Sequence, residues 1–195
     1  MNTSTFLRLD RIQQLGFVSR VWPGAKHTRY EHSLGVLHLT REAIRHLLES
    51  GASSLFSPRD ARTVTAAALL HDIGHYPFSH AIEELGAPIQ SHEAVGKGII
   101  ERGESAALLE SEWMVDPAQV AAMIHGGHDG LTSGQRILQG LLSGTLDMDK
   151  LDYLPRDAHA CSVPYGGVDS SRLLSALTIA EIPGGGSVPA GPRIA

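Results

Sequence analysis

The stretch 66–80 constrains the fold of this chain most, because it runs from an apolar segment straight into a cluster of chemically active side chains. Its alanines and leucines favour a buried helix, and a glycine and a proline just beyond His71 and Asp72 end that helix. An imidazole beside a carboxylate is costly to bury unless something compensates both groups, and a metal ion does so well. We therefore expect this pair to face a pocket. The alternative, a solvated helix end, is disfavoured by the apolar residues that lead into it.

Composition and charge exclude several classes of protein. The 195 residues are 42% hydrophobic, which is enough for the core of one domain with at most a small appendage. A net charge of −5 and a pI near 6.1 give no basic surface, so a nucleic-acid partner is not expected. The single cysteine, Cys161, excludes an intrachain disulfide and fits a reducing compartment. No apolar run reaches membrane-spanning length or resembles a signal peptide, so we expect a cytoplasmic protein without a membrane partner.

Helical signals recur along the chain and no strand-like alternation is visible, so we predict an all-α fold. Ser57 and Pro58 are a typical N-cap and first helical residue, and Ser91 begins another helix. Further helices are predicted over 5–15, 31–50, 117–124 and 147–157. Residues 1–182 are expected to form one domain. Residues 183–195 are rich in glycine and proline, and we expect a flexible tail that forms no packed element.

The segment 147–157 carries a polar stripe at helical spacing. Asp149, Lys150, Tyr153 and Asp157 share one face of the predicted helix, while apolar residues lie on another. Such a stripe is usually a solvated face. Here it combines two acids, a lysine and a tyrosine, which is a composition that suits a nucleotide pocket.

Arg29 and His32 lie three residues apart at the start of a predicted helix, so they share a face. The planar guanidinium of Arg29 is suited to binding phosphate. The alternative is a surface ion pair between Arg29 and Glu31. The neighbouring His32 favours the functional interpretation.

A set of imidazole and carboxylate donors suits a metal ion: His32, the pair His71 and Asp72, and a distant carboxylate such as Asp149. These donors suit zinc, iron(II), manganese or nickel, and they leave coordination positions open for water and substrate oxygens. Further histidines and glutamates are then available for proton transfer near neutral pH: His75, His80, His92, Glu83 and Glu93.

Longer strings carry a family resemblance. They are Gln14-Leu15-Gly16, Arg29-Tyr30-Glu31-His32-Ser33-Leu34-Gly35, His71-Asp72-Ile73-Gly74-His75-Tyr76-Pro77-Phe78-Ser79-His80 and Asp149-Lys150-Leu151-Asp152-Tyr153. In combination they resemble the deoxynucleoside triphosphate triphosphohydrolase branch of the HD-domain metal-dependent phosphohydrolases. The similarity extends over about residues 5–175.

The resemblance implies an all-helical bundle with a metal site between its helices. It also implies hydrolysis of a dNTP at the α-phosphorus, which yields a deoxynucleoside and tripolyphosphate. The implied cofactor is one divalent transition metal (Fe, Mn, Zn or Ni), and the resemblance allows Mg²⁺ on the substrate phosphates as well. The implied partners are a nucleotide substrate and further copies of the chain in a homo-oligomer.

Roles follow residue by residue from the same resemblance. The metal ligands are His32, His71, Asp72 and Asp149. The catalytic side is assigned to His75, His80, His92 and Glu83, with His80 as the proton donor to the departing 5′ oxygen. The substrate-binding residues are Arg29 and Lys150 for the phosphates, Tyr153 near the sugar, and Gln14 and Asp157 for its 3′ hydroxyl.

Departures from the family pattern leave alternatives open. Relatives commonly have an aspartate at the position of Glu83, and they usually run to roughly twice this length, so the chain is either a minimal version or a fragment. Two other functions remain: a different HD-type nucleotide phosphatase or phosphodiesterase, and a non-catalytic nucleotide-binding core. The strings around Arg29 and Asp149 disfavour the first of these, and the retained catalytic histidines disfavour the second.

Overall fold

A computed structural model describes residues 3–78, 80–125, 130–182 and 191–195. It confirms the predicted all-α fold, to which these residues add one small hairpin. The helices are α1 (Ser4–Leu7), α2 (Arg29–Glu49), α3 (Pro58–Leu70), α4 (His80–Glu83), α5 (His92–Ile100), α6 (Gly103–Ser111), α7 (Pro117–His125), α8 (Ser133–Leu138), α9 (Gly140–Ser143), α10 (Met148–Cys161) and α11 (Ser170–Ala176). Short 3₁₀ turns cover Arg8–Arg11, Gly16–Arg20 and Ala52–Ser54. None of the described helices combines the length and the hydrophobicity that crossing a bilayer requires.

Helix α3 lies at the centre of the molecule. Its small and apolar residues Ala66, Ala67, Ala68 and Leu70 are at most 1% exposed, and it packs against α2, α7 and α8. Alanine side chains are short, so the neighbouring helices approach closely and the interior is well filled. Helix α10 packs against α2 on the same side of the bundle. As predicted, the buried apolar run leads directly into His71 and Asp72, which line a cavity.

Reciprocal hydrogen bonds fix where the long helices begin. At α2, the Thr28 hydroxyl accepts from the backbone N–H of Glu31, whose carboxylate accepts from the Thr28 N–H at 2.7 Å. Ser57 and Asp60 form the same arrangement at α3, and the Ser91 hydroxyl caps α5. The helix starts predicted at Ser57 and Ser91 are confirmed.

The N-terminal helix is shorter than the predicted 5–15. Helix α1 ends at Leu7, and the backbone beyond the 3₁₀ turn pairs with the loop before α2. Arg29 N–H donates to the Ile12 carbonyl at 2.9 Å, and Gln14 N–H donates to the His27 carbonyl at 3.0 Å. A helix through these residues would need the same groups for its own hydrogen bonds, so the long-range pairing replaces it.

A two-stranded hairpin forms near the end of the chain. Strands β1 (Ile179–Ile182) and β2 (Gly191–Ile194) are antiparallel, with Ile179 opposite Ile194, and β2 packs against α8 and α9. The prediction that residues 183–195 form no packed element is wrong for residues 191–194, which form β2 and pack against α8 and α9. Each strand is too short to show alternation, and pairing between the two strands supplies the hydrogen bonds. Residues 183–190 of the predicted tail lie outside the described residues, so its flexibility and the domain boundary at 182 stay predictions.

Candidate metal centre and its cavity

A cavity of about 570 Å³ opens beside the end of α3, the start of α2 and α10. It is lined by most of the residues that the sequence singled out: Gln14, Arg29, His32, His71, Asp72, His75, His80, His92, Asp149, Tyr153 and Asp157. These residues are far apart in the sequence, and the packing of the helices brings them together around the same cavity.

The metal donors predicted from the sequence converge at one side of this cavity. His32 lies on the first turn of α2, His71 caps the C-terminal end of α3, Asp72 follows it, and Asp149 lies on the first turn of α10. The Nε2 atom of His32 is 3.2 Å from Nε2 of His71 and 2.9 Å from Oδ1 of Asp149. The Nε2 atom of His71 is 3.6 Å from Oδ1 of Asp72 and 3.8 Å from Oδ1 of Asp149.

These separations fit a coordination shell. With metal–ligand bonds of about 2.0–2.2 Å, neighbouring donors of a tetrahedral or octahedral ion lie about 3–3.5 Å apart. Imidazole nitrogen with carboxylate oxygen is a donor set that divalent transition metals accept. Donor atoms of His32, His71 and Asp149 lie within 4.8 Å of one another, and Asp72 lies 3.6 Å from His71. These residues fit a divalent metal and are the ones that would hold it.

A carboxylate that the sequence interpretation did not single out supports His32 from behind. Asp152 Oδ2 lies 2.7 Å from Nδ1 of His32, and Arg156 binds both Asp152 oxygens, at 2.8 and 2.7 Å. A Cβ atom on Gly35 would collide with the Asp152 carboxylate, so glycine at this position is what lets α10 approach α2. Asp152 fixes the tautomer of His32 with its Nε2 lone pair toward the other donors. The sequence signal that could have identified Asp152 is its position one helical turn after Asp149.

The protonation of each candidate donor depends on the charges of its neighbours. Burial favours neutral imidazole, but hydrogen bonds to Asp149 and Asp152 outweigh it and raise the pKa of His32 to about 9. Burial opposes ionisation of Asp72, yet His71, His75 and Arg29 hold the pKa of that carboxyl well below its ordinary value. Because metal binding needs deprotonated ligands, a bound ion takes the place of the His32 proton.

Arg29 is buried beside the donors and is not part of a surface ion pair. It is 4% exposed, and its Nη1 lies 2.5 Å from Oδ2 of Asp72. Glu31 instead completes the cap of α2. The alternative interpretation of Arg29 is therefore excluded, and its guanidinium adds positive charge to the wall of the cavity.

A second group of side chains lies next to the donors at the same cavity. The rings of His75 and His92 are stacked with centroids 3.8 Å apart, and His80 meets them edge-on at 5.0 and 5.2 Å. Glu83 accepts hydrogen bonds from Nδ1 of His92 at 2.7 Å and from its backbone N–H at 2.9 Å. Glu83 thus orients His92, whereas Nε2 of His75 lies 3.3 Å from Oδ1 of Asp72. We define His75, His80, His92 and Glu83 as the histidine cluster.

The histidine cluster suits proton transfer better than metal binding. Its donor atoms lie within 4.8 Å of one another, but Nδ1 of His92 is hydrogen-bonded to Glu83 and Nε2 of His75 lies beside Asp72. Burial is the main reason that the pKa of His75 falls to about 4, so this imidazole is neutral at pH 7. The side chain of His80 is 65% exposed, and it can therefore exchange protons with solvent.

The predicted polar stripe on α10 divides in two. Asp149, Tyr153 and Asp157 are spaced by one helical turn and line the cavity. Lys150 lies outside the cavity lining: its Nζ donates to Oδ2 of Asp147 at 2.5 Å and to the Gly144 carbonyl at 3.2 Å. The structure does not bring Lys150 to the other substrate-binding residues, because adjacent helical positions point about 100° apart.

Arg8, which the sequence interpretation did not consider, fastens the turn after α3. Its guanidinium donates to the carbonyls of Ile73 at 2.6 Å and His75 at 2.7 Å. These carbonyls follow a helix end and have no helical partner, so Arg8 satisfies them and holds the turn that carries the metal donors. The sequence offered no signal for this contact across 65 residues and more.

Comparisons with known proteins agree with this geometry. Residues 29–153 match the HD-domain family. The structure of a phosphohydrolase from Bacteroides thetaiotaomicron superposes with a TM-score of 0.77 at 37% identity, covering 92% of this chain and 42% of that one. The uncharacterized protein YwfO of Bacillus subtilis is 34% identical over an alignment of 181 residues, which covers 91% of this chain and 39% of YwfO.

A named triphosphohydrolase is also similar. The deoxynucleoside triphosphate triphosphohydrolase SAMHD1 of Gallus gallus is 30% identical over 208 residues, covering 93% of this chain and 34% of SAMHD1. The chain spans less than half the length of these relatives. Because the family match covers more than half of this chain and includes all the metal donors, the chain belongs to the HD-domain family.

Proposed function

We propose that this protein is a metal-dependent phosphohydrolase that converts a dNTP to a deoxynucleoside and tripolyphosphate. The supporting observation is the shared cavity, in which metal donors, the histidine cluster and hydrogen-bonding groups for a sugar face one another. The HD-domain family indicates metal-dependent hydrolysis. Similarity to SAMHD1 supports the choice of dNTPs as substrates.

Charge in the cavity suits a triphosphate. A divalent ion on His32, His71, Asp72 and Asp149 supplies Lewis acidity toward a phosphoryl oxygen and neutralises its charge. Arg29 adds a fixed positive charge beside Asp72 and holds that carboxylate in place. Both effects lower the cost of bringing a polyanion into the cavity and of developing charge on it during reaction. Mg²⁺ on the outer phosphates is part of the proposal.

Proton transfer falls to the histidine cluster. A 5′ alkoxide is a poor leaving group at neutral pH, so a general acid must protonate it as it departs. His80 is the proposed donor, because it lies at the cavity and its exposed ring regains a proton from solvent. His75 is fixed beside Asp72, and His92 is oriented by Glu83. These two are proposed to line the catalytic side of the cavity with His80.

The sugar is proposed to bind on the α10 side of the cavity. Tyr153 offers a flat ring there, and Gln14 and Asp157 offer hydrogen-bonding groups to the 3′ hydroxyl. Lys150 retains a role in phosphate binding only if its side chain leaves Asp147, which makes it the weakest of the proposed contacts. The homo-oligomer stays a proposal, as does activity of the whole protein beyond the region shared with its relatives.

A substrate panel tests the proposal. The chain is loaded with Fe, Mn, Zn or Ni and given each dNTP, a deoxynucleoside monophosphate, a cyclic nucleotide and guanosine tetraphosphate, and the products are separated by ion-exchange chromatography. We expect deoxynucleoside and tripolyphosphate from dNTPs at rates well above those for the other compounds. Preferential release of orthophosphate from the monophosphate, or opening of the cyclic nucleotide, would establish a different HD-type activity. Stoichiometric metal without turnover of any compound would indicate a binding protein.

A further inference from the structure

A histidine outside the motifs contacts both residues of the proposed sugar subsite. His27 lies in the loop before α2, and its side chain is 9% exposed. Its Nε2 lies 2.7 Å from Oδ1 of Asp157, whose carboxylate lines the cavity. Its backbone carbonyl accepts from the N–H of Gln14 at 3.0 Å, and Gln14 lines the same cavity. One residue therefore ties α10 to the N-terminal segment at the point where both reach the cavity.

The loop that carries His27 is held rigidly. A Cβ atom on Gly24 would lie 2.5 Å from the Ala160 carbonyl, so the loop backbone packs directly onto α10. Ala25 is 1% exposed. The neighbouring Thr28 forms a bridge with Gln13 and also caps α2. His27 has little freedom to move, so it can hold its two contacts in a fixed relation.

The environment of His27 also sets which atom donates. Its Nδ1 is buried and has no hydrogen-bond partner within the described residues. A hydrogen on a buried atom without a partner is costly, so the tautomer with its hydrogen on Nε2 fits this site. Nε2–H then donates to Oδ1 of Asp157. The second carboxylate oxygen of Asp157 is left to accept from a hydroxyl in the cavity.

We propose that His27 is a positioning residue for sugar recognition, which holds Gln14 and Asp157 together so that they bind the 3′ hydroxyl of a deoxynucleotide. This inference rests on the proposed function and deepens it. His27 does not touch the reacting atoms. It determines whether the enzyme distinguishes a nucleotide with a 3′ hydroxyl from one without it.

The test compares dNTP with the matched dideoxynucleotide, which lacks only the 3′ hydroxyl, in wild type, His27→Leu and His27→Gln. Wild type should prefer the dNTP by at least about tenfold in kcat/KM, because the dideoxy compound leaves polar groups unpaired. In His27→Leu, KM for the dNTP should rise while kcat/KM for the dideoxynucleotide changes little, so the preference falls to about threefold or less. In His27→Gln, the amide nitrogen replaces Nε2 as donor, and most of the preference should return.

Controls separate positioning from folding. His159→Leu removes an exposed histidine of α10 and should leave both substrates unaffected. If His27→Leu does not fold, His27→Asn serves instead, since its shorter amide cannot reach Asp157 and should lose the preference. Equal losses for both substrates in a folded, metal-loaded variant would overturn the inference, as would an unchanged preference. Failure of wild type to hydrolyse any dNTP would instead overturn the proposed function, and the inference with it.

Discussion

His32 is held from both sides, and this double contact shows how single residues build the site. Its Nε2 meets His71 and Asp149, while its Nδ1 meets Asp152. Arg156 in turn fixes Asp152. A metal ligand that is oriented by a buried carboxylate loses little rotational freedom when the ion binds, and its basicity is raised.

Asp152→Asn tests this support. The amide keeps the size of the side chain but can present its NH₂ group to Nδ1, which disturbs the tautomer that leaves Nε2 free. We expect affinity for the metal to fall by about tenfold to a hundredfold, measured by competition with a chelator. The exposed Asp10 provides the matched control, and Asp10→Asn should bind metal like wild type. Undiminished affinity in Asp152→Asn would mean that Asp152 does not orient His32.

His80→Ala tests the proposed general acid. We expect turnover of the best dNTP to fall by about a hundredfold or more, with metal content unchanged because His80 is not a donor to the ion. An aryl triphosphate, whose phenolate leaves without a proton, should recover most of that loss. His159→Ala is the control for removal of an exposed imidazole. Equal damage with both substrates would assign His80 to binding or structure and direct the search for the acid to His75 or His92.

At the level of single residues, the sequence indicated the candidate donors that the structure brings together, but not the side chains that support them. His71 and Asp72 stand out because an apolar run precedes them, and His32 and Asp149 because each lies in a longer string of the family pattern. In the sequence, Asp152 cannot be distinguished from any other acidic residue on a helix. Its role becomes visible only from its contact with His32 in the structure. The sequence interpretation places Lys150 on the same helix face as its neighbour Asp149. In the structure, only Asp149, Tyr153 and Asp157, which are one helical turn apart, line the cavity.

Helices α3 and α8 are joined by one buried carboxylate. Asp60 accepts from the Ser57 N–H and hydroxyl at 2.8 Å each, and from the Thr132 hydroxyl at 2.7 Å. Thr132 is the N-cap of α8, so Asp60 links the starts of both helices. Burial alone would raise the pKa of Asp60, but the hydrogen bonds from Ser57 and Thr132 outweigh it and lower the pKa below its ordinary value.

Asp60→Asn should therefore destabilise the fold in a pH-dependent way. A carboxyl whose pKa is lower in the folded state stabilises fully above its unfolded pKa of about 4 and ceases to do so as the pH falls through the folded value. We expect a loss of about 1.5–3 kcal/mol in the free energy of unfolding at pH 7, shrinking below about pH 4. Urea unfolding at several pH values measures it, with Asp10→Asn as control. A difference that is constant with pH would contradict the assigned cause.

Local signals predicted the helices, and long-range pairing explains what they missed. Ser57 and Ser91 each cap a helix by accepting a hydrogen bond from a backbone N–H three residues later. The start of each helix can therefore be predicted from the local sequence. The early end of α1 depends on backbone pairing with the loop before α2, and the hairpin depends on two strands of four residues each. In both cases, the sequence of one segment does not identify the segment with which it pairs.

At the scale of the described molecule, one cavity collects side chains from separate elements, each with a different proposed role. Helix α2 brings Arg29 and His32, the turn after α3 brings His71, Asp72 and the first of the histidine cluster, and α10 brings Asp149 and the proposed sugar-binding groups. The HD-domain match covers the elements that carry the metal donors. We propose that these parts act together on the α-phosphorus of a dNTP.

The most direct test is hydrolysis of a dNTP in H₂¹⁸O by the protein after its metal content has been measured. Both products are analysed by mass spectrometry. Attack at the α-phosphorus breaks its bond to the 5′ oxygen, so we expect unlabelled deoxynucleoside and tripolyphosphate that carries one ¹⁸O atom. Turnover should scale with bound metal and vanish on its removal. Orthophosphate or pyrophosphate as the primary product, or ¹⁸O in the deoxynucleoside, would contradict the account.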